Sequence, residues 1–381
     1  NEKNFRFNDF KLSLNNKKIL IPELIALKQS KKYLVSGELN TENTSLSKND
    51  INKLIINNID KLNIKKILFN SKNNFTFEIN KNFKVKNLTI NSDIDLDSFK
   101  LKNSFKLNDI FPKIQENFIF KNQKIKLKYQ KDRLNIVGRG EVFLQNQIDL
   151  IEYEIFKRKN KVNFNTTLDI SKNSFKIDLL NFEKNEDSNL KLNFQGTKNF
   201  KEKFIFDEIS LREKNNTILI KNLILSNDNK IDNIGNTNIN YEDKDNFKNN
   251  LQITKKNKDY LISGKSFNID KIKEKLLNSG NGKKSEYFNR NLRFNFDIKK
   301  VNLDKNNTIN DLKGHLLLKK NIISELNLES KFFNQKNIKL TIKNDGKEKI
   351  TTLFSHEAKP LVERYKFIKG FEEGDLDFYS I

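Results

Sequence analysis

The sequence predicts a mainly β protein: a long, curled antiparallel β-sheet with a few short helices. Three observations carry this. Apolar and polar residues alternate at period two through most of the 381 residues. Clusters of Asn, Asp, Lys and Ser separate the alternating runs, as turns require. No helical pattern of about 10–15 residues recurs between the runs, which disfavours a parallel βαβ sheet.

Composition bounds the rest. Cys, Met and Trp are all zero, while Phe numbers 32. Without Cys there is no disulfide and no thiolate metal site. Without Met, the sequence is expected to be an internal piece of a longer protein, with a signal peptide or membrane anchor upstream of Asn1. No apolar run approaches the ~18 residues of a spanning helix. Mean hydropathy is −0.72, yet Phe, Ile and Leu recur too regularly for a disordered chain. The formal net charge is +23. Lys, Asn, Ile and Phe have A/T-rich codons, and most of the excess is Lys interleaved with Asn. It reads first as solvated strand faces, with attraction to anionic surfaces as the alternative.

The elements follow in order. Phe5 and Phe7, Leu12 and Leu14, then Ile19 and Ile21 alternate up to Pro22. Residues 34–39 are a strand, and Asn49 or Asp50 caps a short helix over 51–56. Residues 75–79 alternate strictly, as do Phe83 and Val85, Leu88 and Ile90, Ile94 and Leu96, and Phe99 and Leu101. A second helix is predicted over 108–117, with Pro112 in its first turn. The middle is the most regular part, from Ile125, Leu127 and Tyr129 through to Leu251 and Ile253. Residues 260–280 break the period. After the strand residues Leu261 and Ile262, Ile269, Ile272, Leu276 and Leu277 share one helical face, with Asn268 or Asp270 to cap it and Gly280 to end it. Strands resume over 292–303, 312–318, 322–328 and 338–342. A last helix follows, with Pro360 in its first turn and Leu361, Tyr365 and Ile368 inside, ended by Gly370. Leu376 and Phe378 belong to the final strand.

Roughly 20 to 25 strands at ~4.8 Å spacing would make one sheet on the order of 100 Å across. Its apolar side cannot face water over such an area. The sheet must fold over, pair with a second sheet, or cover something apolar, because the helices are too few to roof it.

The usual signs of enzyme chemistry are absent. His315 and His356 lie far apart and read as structural or exposed. Neither a metal-spaced cluster nor a cofactor motif occurs. Gly138-Arg-Gly140 and Gly280-Asn-Gly282 read as turns. Asp93, Asp95 and Asp97 read as the outer face of a strand, and Asp375 and Asp377 likewise. Phe alternating with Lys and Asn places rings inside and charges outside, which speaks against nucleic acid.

Residues 262–270 with the following helix, then 292–303 and 309–314, then 354–378 resemble the AsmA-like superfamily. The closest likeness is to its YhdP-type branch, with DUF3971-like and AsmA-like C-terminal regions. Lys369-Gly370-Phe371 departs from the double glycine of many members. The likeness divides the chain into 1–259, a β-meander forming part of an elongated groove, and 260–381, a truncated AsmA-like C-terminal-type region.

The resemblance implies that the sheet forms an open, β-taco-like groove, and that the chain is a non-enzymatic envelope protein carrying phospholipid between the inner and outer membranes of a Gram-negative bacterium. It would sit in the periplasm, anchored to the inner membrane by a segment outside this sequence, and outer-membrane components are possible partners. The groove lining expected for phospholipid acyl chains is Phe164, Leu168, Ile170, Ile177, Leu179, Leu192, Phe194, Phe204, Phe206, Ile218, Ile220, Leu223 and Leu225. The alternative is a periplasmic scaffold or outer-membrane protein assembly factor acting through exposed β-edges, for which the strands at Phe5 and Ile381 are natural edges.

Overall fold

A computed structural model describes residues 3–14, 17–47, 64–103, 107–199, 203–227, 230–272, 288, 291–319, 322–344, 346–365 and 373–381. The chain is mainly β, with 72% strand and 3% helix. Twenty-two strands belong to one large mixed sheet that does not close into a barrel. Contacts divide the chain into two compact units: Asn1–Phe175 with Glu186–Lys201, and Lys176–Asn185 with Glu202–Ile381. The division expected at 259/260 instead falls inside the second unit, where the strands on either side pair from Lys256↔Asp259 onward. A two-residue turn between hydrogen-bonded strands is no place for contacts to thin out.

The first unit is an up-and-down meander. Its strands are β1 (Asn4–Leu14), β2 (Lys17–Gln29), β3 (Lys32–Ser47), β4 (Ile64–Asn80), β5 (Val85–Lys102), β6 (Asn117–Gln130), β7 (Arg133–Phe143), β8 (Asp149–Arg158) and β9 (Lys161–Ile170). The chain then leaves for a small hairpin of the second unit, β10 (Lys176–Ile177) and β11 (Phe182–Glu183). It returns as β12 (Leu190–Asn199), which pairs with β9. Every pairing in this unit is antiparallel.

The second unit continues with β13 (Phe204–Glu213), β14 (Asn216–Leu225), β15 (Ile231–Asn233), β16 (Thr237–Glu242), β17 (Lys248–Lys256) and β18 (Asp259–Asn268). It ends with β19 (Leu292–Asn302), β20 (Thr308–Lys319), β21 (Ile322–Lys331), β22 (Asn337–Asn344), β23 (Lys349–Ser355), helix α1 (Lys359–Tyr365) and β24 (Leu376–Ser380). β18 and β19 are parallel, an exception to the antiparallel expectation. A parallel pair needs a crossover of about a dozen residues or more, and the segment between Asn268 and Leu292 is long enough.

Five further expectations are corrected or bounded. Residues 107–116 form successive turns rather than a helix. Phe111 N–H still bonds to Leu107 O at 2.8 Å, but the chain turns away at Pro112 and enters β6 at Asn117. Gly138 and Gly140 lie within β7, not in a turn. The helix expected over 51–56 and the Gly280-Asn-Gly282 turn lie outside the described residues. The helix after β18 is described only for its first turn, 270–272, where Asn268 Oδ1 accepts the Asp270 N–H at 3.1 Å as the cap requires.

Long strands keep one apolar face by a repeated local device. In β1 the apolar residues change parity from Phe5 and Phe7 to Phe10 and Leu12 across Asp9, at φ 52. The same change occurs across Asn43 in β3 (φ 46), Asn122 in β6 (φ 50) and Asn222 in β14 (φ 52). Asn and Asp tolerate this left-handed backbone better than other side chains, so each irregularity restores the apolar face instead of ending the strand.

Candidate functional site

The candidate site is the apolar face of the first unit. Cross-strand partners follow one line of residues from strand to strand: Phe75, Ile90 and Tyr129, for example, or Ile94, Ile125 and Gly138. Further along, Tyr153, Thr166 and Phe194 continue the second line. Towards β1 the first line continues through Gly37, Leu24 and Phe7, while the second turns polar on β4 and β3, where Ser71 and Thr41 hydrogen-bond to each other at 2.8 Å. The opposite face carries charge, with Asp95 paired to Lys124 at 2.8 Å.

Burial is uneven over this face. In the middle strands Phe75, Ile94, Leu96, Ile125, Leu127 and Ile155 are all half-buried. Side chains between two packed layers would be nearly closed off from water. Among the described residues these are sheltered partly, by their neighbours in the sheet.

One end of the face is covered. Three loops that follow β5, β7 and β9 meet there. Phe111 and Phe175 touch edge to face with ring centroids 5.5 Å apart, and Val142, Ile170 and Leu190, at the strand ends beside these loops, are fully buried. Hydrogen bonds tie the loops together. Gln145 Oε1 accepts the Lys113 N–H at 3.0 Å, and Gln145 Nε2 donates to Ser174 O at 2.7 Å. Asn173 Nδ2 donates to Gln147 O and to Asp149 Oδ2, both at 2.8 Å.

The other end is not covered among the described residues. Tyr33, Phe83 and Val85 are exposed there. Its turns, at 30–31, 81–84, 131–132 and 159–160, are short and basic.

Two glycines shape the middle of the face. A Cβ on Gly138 would lie 2.3–2.6 Å from atoms of the Tyr153 ring, so the ring lies flat over the strand. Burial there raises the Tyr153 phenol to about 12. A Cβ on Gly140 would meet the Gln123 amide, which bonds to Glu141 O at 2.8 Å.

The predicted lining residues fall in three places. Phe164, Leu168, Ile170, Leu192 and Phe194 lie on the apolar face of β9 and β12, with Leu168 opposite Leu192 and Phe164 opposite Gly196. Leu168, Ile170 and Leu192 are buried, and Phe164 and Phe194 are half-buried. Phe204, Phe206, Ile218, Ile220, Leu223 and Leu225 belong to the second unit on β13 and β14, with Phe204 opposite Leu225 and Phe206 opposite Leu223.

Ile177 and Leu179 are on neither stretch, which corrects that expectation. Ile177 sits in the two-residue β10, and Leu179 is exposed in a 3-10 turn that Asn181 ends at φ 51. This hairpin plugs the second unit instead. Phe182 lies edge to face on Tyr241, Tyr241 Oη donates to Leu180 O at 2.6 Å, and Asn181 Nδ2 donates to Asp245 Oδ2 at 2.8 Å. The ammonium of Lys305, bonded to the Asp245 carboxylate, holds that carboxyl below its usual range.

Among the described residues no group of His, Asp and Glu is placed to hold a metal ion, and no helix is long and apolar enough to cross a membrane. His315 is bonded to Glu325 at 2.8 Å, and His356 to Asp375 at 3.3 Å. Comparison with protein-family models, with curated proteins and with solved structures finds no match for this chain.

Reading the sequence missed the basic turns at the uncovered end. Alternate turns of a meander fall at the same end, and summing charge over every second turn would have found them.

Proposed function

We propose that this chain is a non-enzymatic lipid carrier of the Gram-negative envelope, holding phospholipid acyl chains on the apolar face of its sheet. The supporting observation is that apolar side chains recur on this face on every strand of the first unit, yet Phe75, Ile94, Leu96, Ile125, Leu127 and Ile155 in its middle are only half-buried. Each CH₂ taken out of water contributes about 0.8 kcal/mol. An acyl chain laid on the face would therefore satisfy both surfaces. A line of small apolar contacts, with no deep single pocket, suits a ligand that slides. The periplasmic location and inner-membrane anchoring belong to the same proposal and rest on the AsmA-like resemblance.

The test is native mass spectrometry of protein extracted from membranes without delipidation. Bound phospholipid is expected, and Phe194→Asp, on β12 at the last strand of the face, should abolish it. A protein that is lipid-free under these conditions, or a Phe194→Asp variant with unchanged lipid content, would remove the reading. Ile220→Asp asks the same of the second unit.

One observation favours the scaffold reading. β1 pairs only with β2 among the described strands, and Phe5, Phe7, Phe10 and Leu12 on it are exposed. Such an edge can accept a further strand. Lipid-free protein that captures outer-membrane protein segments through β1 would favour this alternative.

A further inference from the structure

We propose that the uncovered end of the first unit docks on an anionic lipid bilayer, with Phe83 inserted among the headgroups. Four turns lie at this end, because every second connection of an up-and-down meander returns to the same side. They follow β2, β4, β6 and β8. Their exposed cations include Lys31, Lys81, Lys84, Lys131, Lys159 and Lys161. Arg133 and Arg158 flank the last two turns. Asp132 is the one acid in the four turns. Glu78, three residues before Lys81, is taken by Lys32 at 2.8 Å. At the covered end, by contrast, Asp109, Lys113, Glu116, Asp149 and Lys172 mix both signs.

The tip at 81–84 presents an apolar side chain amid this charge. Phe83 is 88% exposed. Its turn is firmly built: Asn80 Oδ1 accepts the N–H groups of Asn82 at 3.1 Å and Lys84 at 2.9 Å, and the Phe83 N–H bonds to Asn80 O at 3.0 Å. Phe83 itself is held at φ 54, a backbone region in which a bulky side chain is an outlier. Local structure thus holds a ring out in water where an Asn or Gly would serve the turn better. Val85 and Tyr33 are exposed beside it.

A protruding ring surrounded by lysines fits a membrane interface, where the ring enters the acyl boundary and the ammonium groups stay with phosphates. A nucleic acid would need a surface on which bases stack, and a row of convex turns offers no such platform. The rim's chemistry is independent of what the apolar face holds. If the face does carry acyl chains, its uncovered end would then meet the membrane.

The absence of Trp gives a clean reporter. Phe83→Trp in the full chain should show a blue-shifted emission on adding vesicles of phosphatidylglycerol and phosphatidylcholine, with quenching by brominated acyl chains. No shift is expected with phosphatidylcholine alone. In flotation, Lys81→Gln with Lys84→Gln should weaken partitioning roughly 25-fold at low salt, and Phe83→Ser roughly tenfold. Lys72→Gln with Lys126→Gln, in the middle of the polar face, controls for diffuse charge. The proposal is overturned if the control pair loses as much as the rim pair. It is also overturned if the Trp emission ignores vesicles, or if a single-stranded oligonucleotide displaces them through the same lysines while Phe83→Ser changes nothing.

Discussion

The two units are written in the same alternating texture but fill their interiors differently. In the second unit Leu211, Ile218, Leu251, Ile298, Val301 and Leu312 are all buried along the strands. The ends are closed as well. Asp243, itself buried, accepts through Oδ1 the N–H groups of Asp245 and Phe247 and through Oδ2 the Asn268 amide at 2.7 Å. Asn181 and Phe182 of the 176–183 hairpin are buried too, as are Ala358 just before α1 and Leu361 and Val362 on it. Among the described residues of the first unit, such cover comes from the loops near Phe111 and Phe175. Period two states that one face of a strand is apolar. It does not state what lies over that face, because the covering segments come from elsewhere in the chain.

Stability measurements can break this contrast. Phe182→Ala should have the largest effect, costing about 3–5 kcal/mol in the unfolding of the second unit, because the ring is fully buried against Tyr241. Gly138→Ala comes next, at about 1–3 kcal/mol, since the new methyl group must lift the Tyr153 ring. Ile94→Ala, at a half-buried position of the face, should cost about 1 kcal/mol, the small end of core truncations. Denaturant unfolding of lipid-free protein reads all three. If Ile94→Ala costs as much as Phe182→Ala, the face is a closed core and has no room for a ligand.

Much of the fold was legible. The mainly β class, the hairpin runs, the Asn268 cap and Pro360 in the first turn of α1 all follow from local pattern. The parity changes at Asp9, Asn43, Asn122 and Asn222 were visible as breaks between alternating pairs. Their meaning depended on a positive φ that pattern alone does not state. Gly138 was misread because glycine signals either backbone freedom or lack of bulk, and here the second applies. Ile177 and Leu179 were misplaced because Phe175, Ile177 and Leu179 alternate as a strand would, whereas the contacts of Phe182 and Asn181 turn the segment into a plug. Of the lining residues, those on β9 and β12 lie together, which register could suggest. Their different burial depends on loops far away in sequence.

The smallest predicted effect sharpens the same contrast through two tyrosines. Tyr153 on the first unit's face is raised to about 12 by burial, against a usual value of about 10. Tyr241 in the second unit is raised further, by burial first and then by the charge of Asp243. In both cases the folded state keeps a proton that the unfolded chain releases. The resulting stability is therefore fully present below pH ~10 and is lost as pH rises through the folded value. Tyr153→Phe should flatten the fall in stability between about pH 10 and 12 and leave stability near neutrality almost unchanged. Gly138→Ala, by lifting the ring into water, should return Tyr153 towards its usual titration, which absorbance near the phenolate band would follow. An unchanged alkaline slope in Tyr153→Phe would mean that the ring is no more sheltered than a surface tyrosine. The middle of the apolar face would then be more open to water than its neighbours make it.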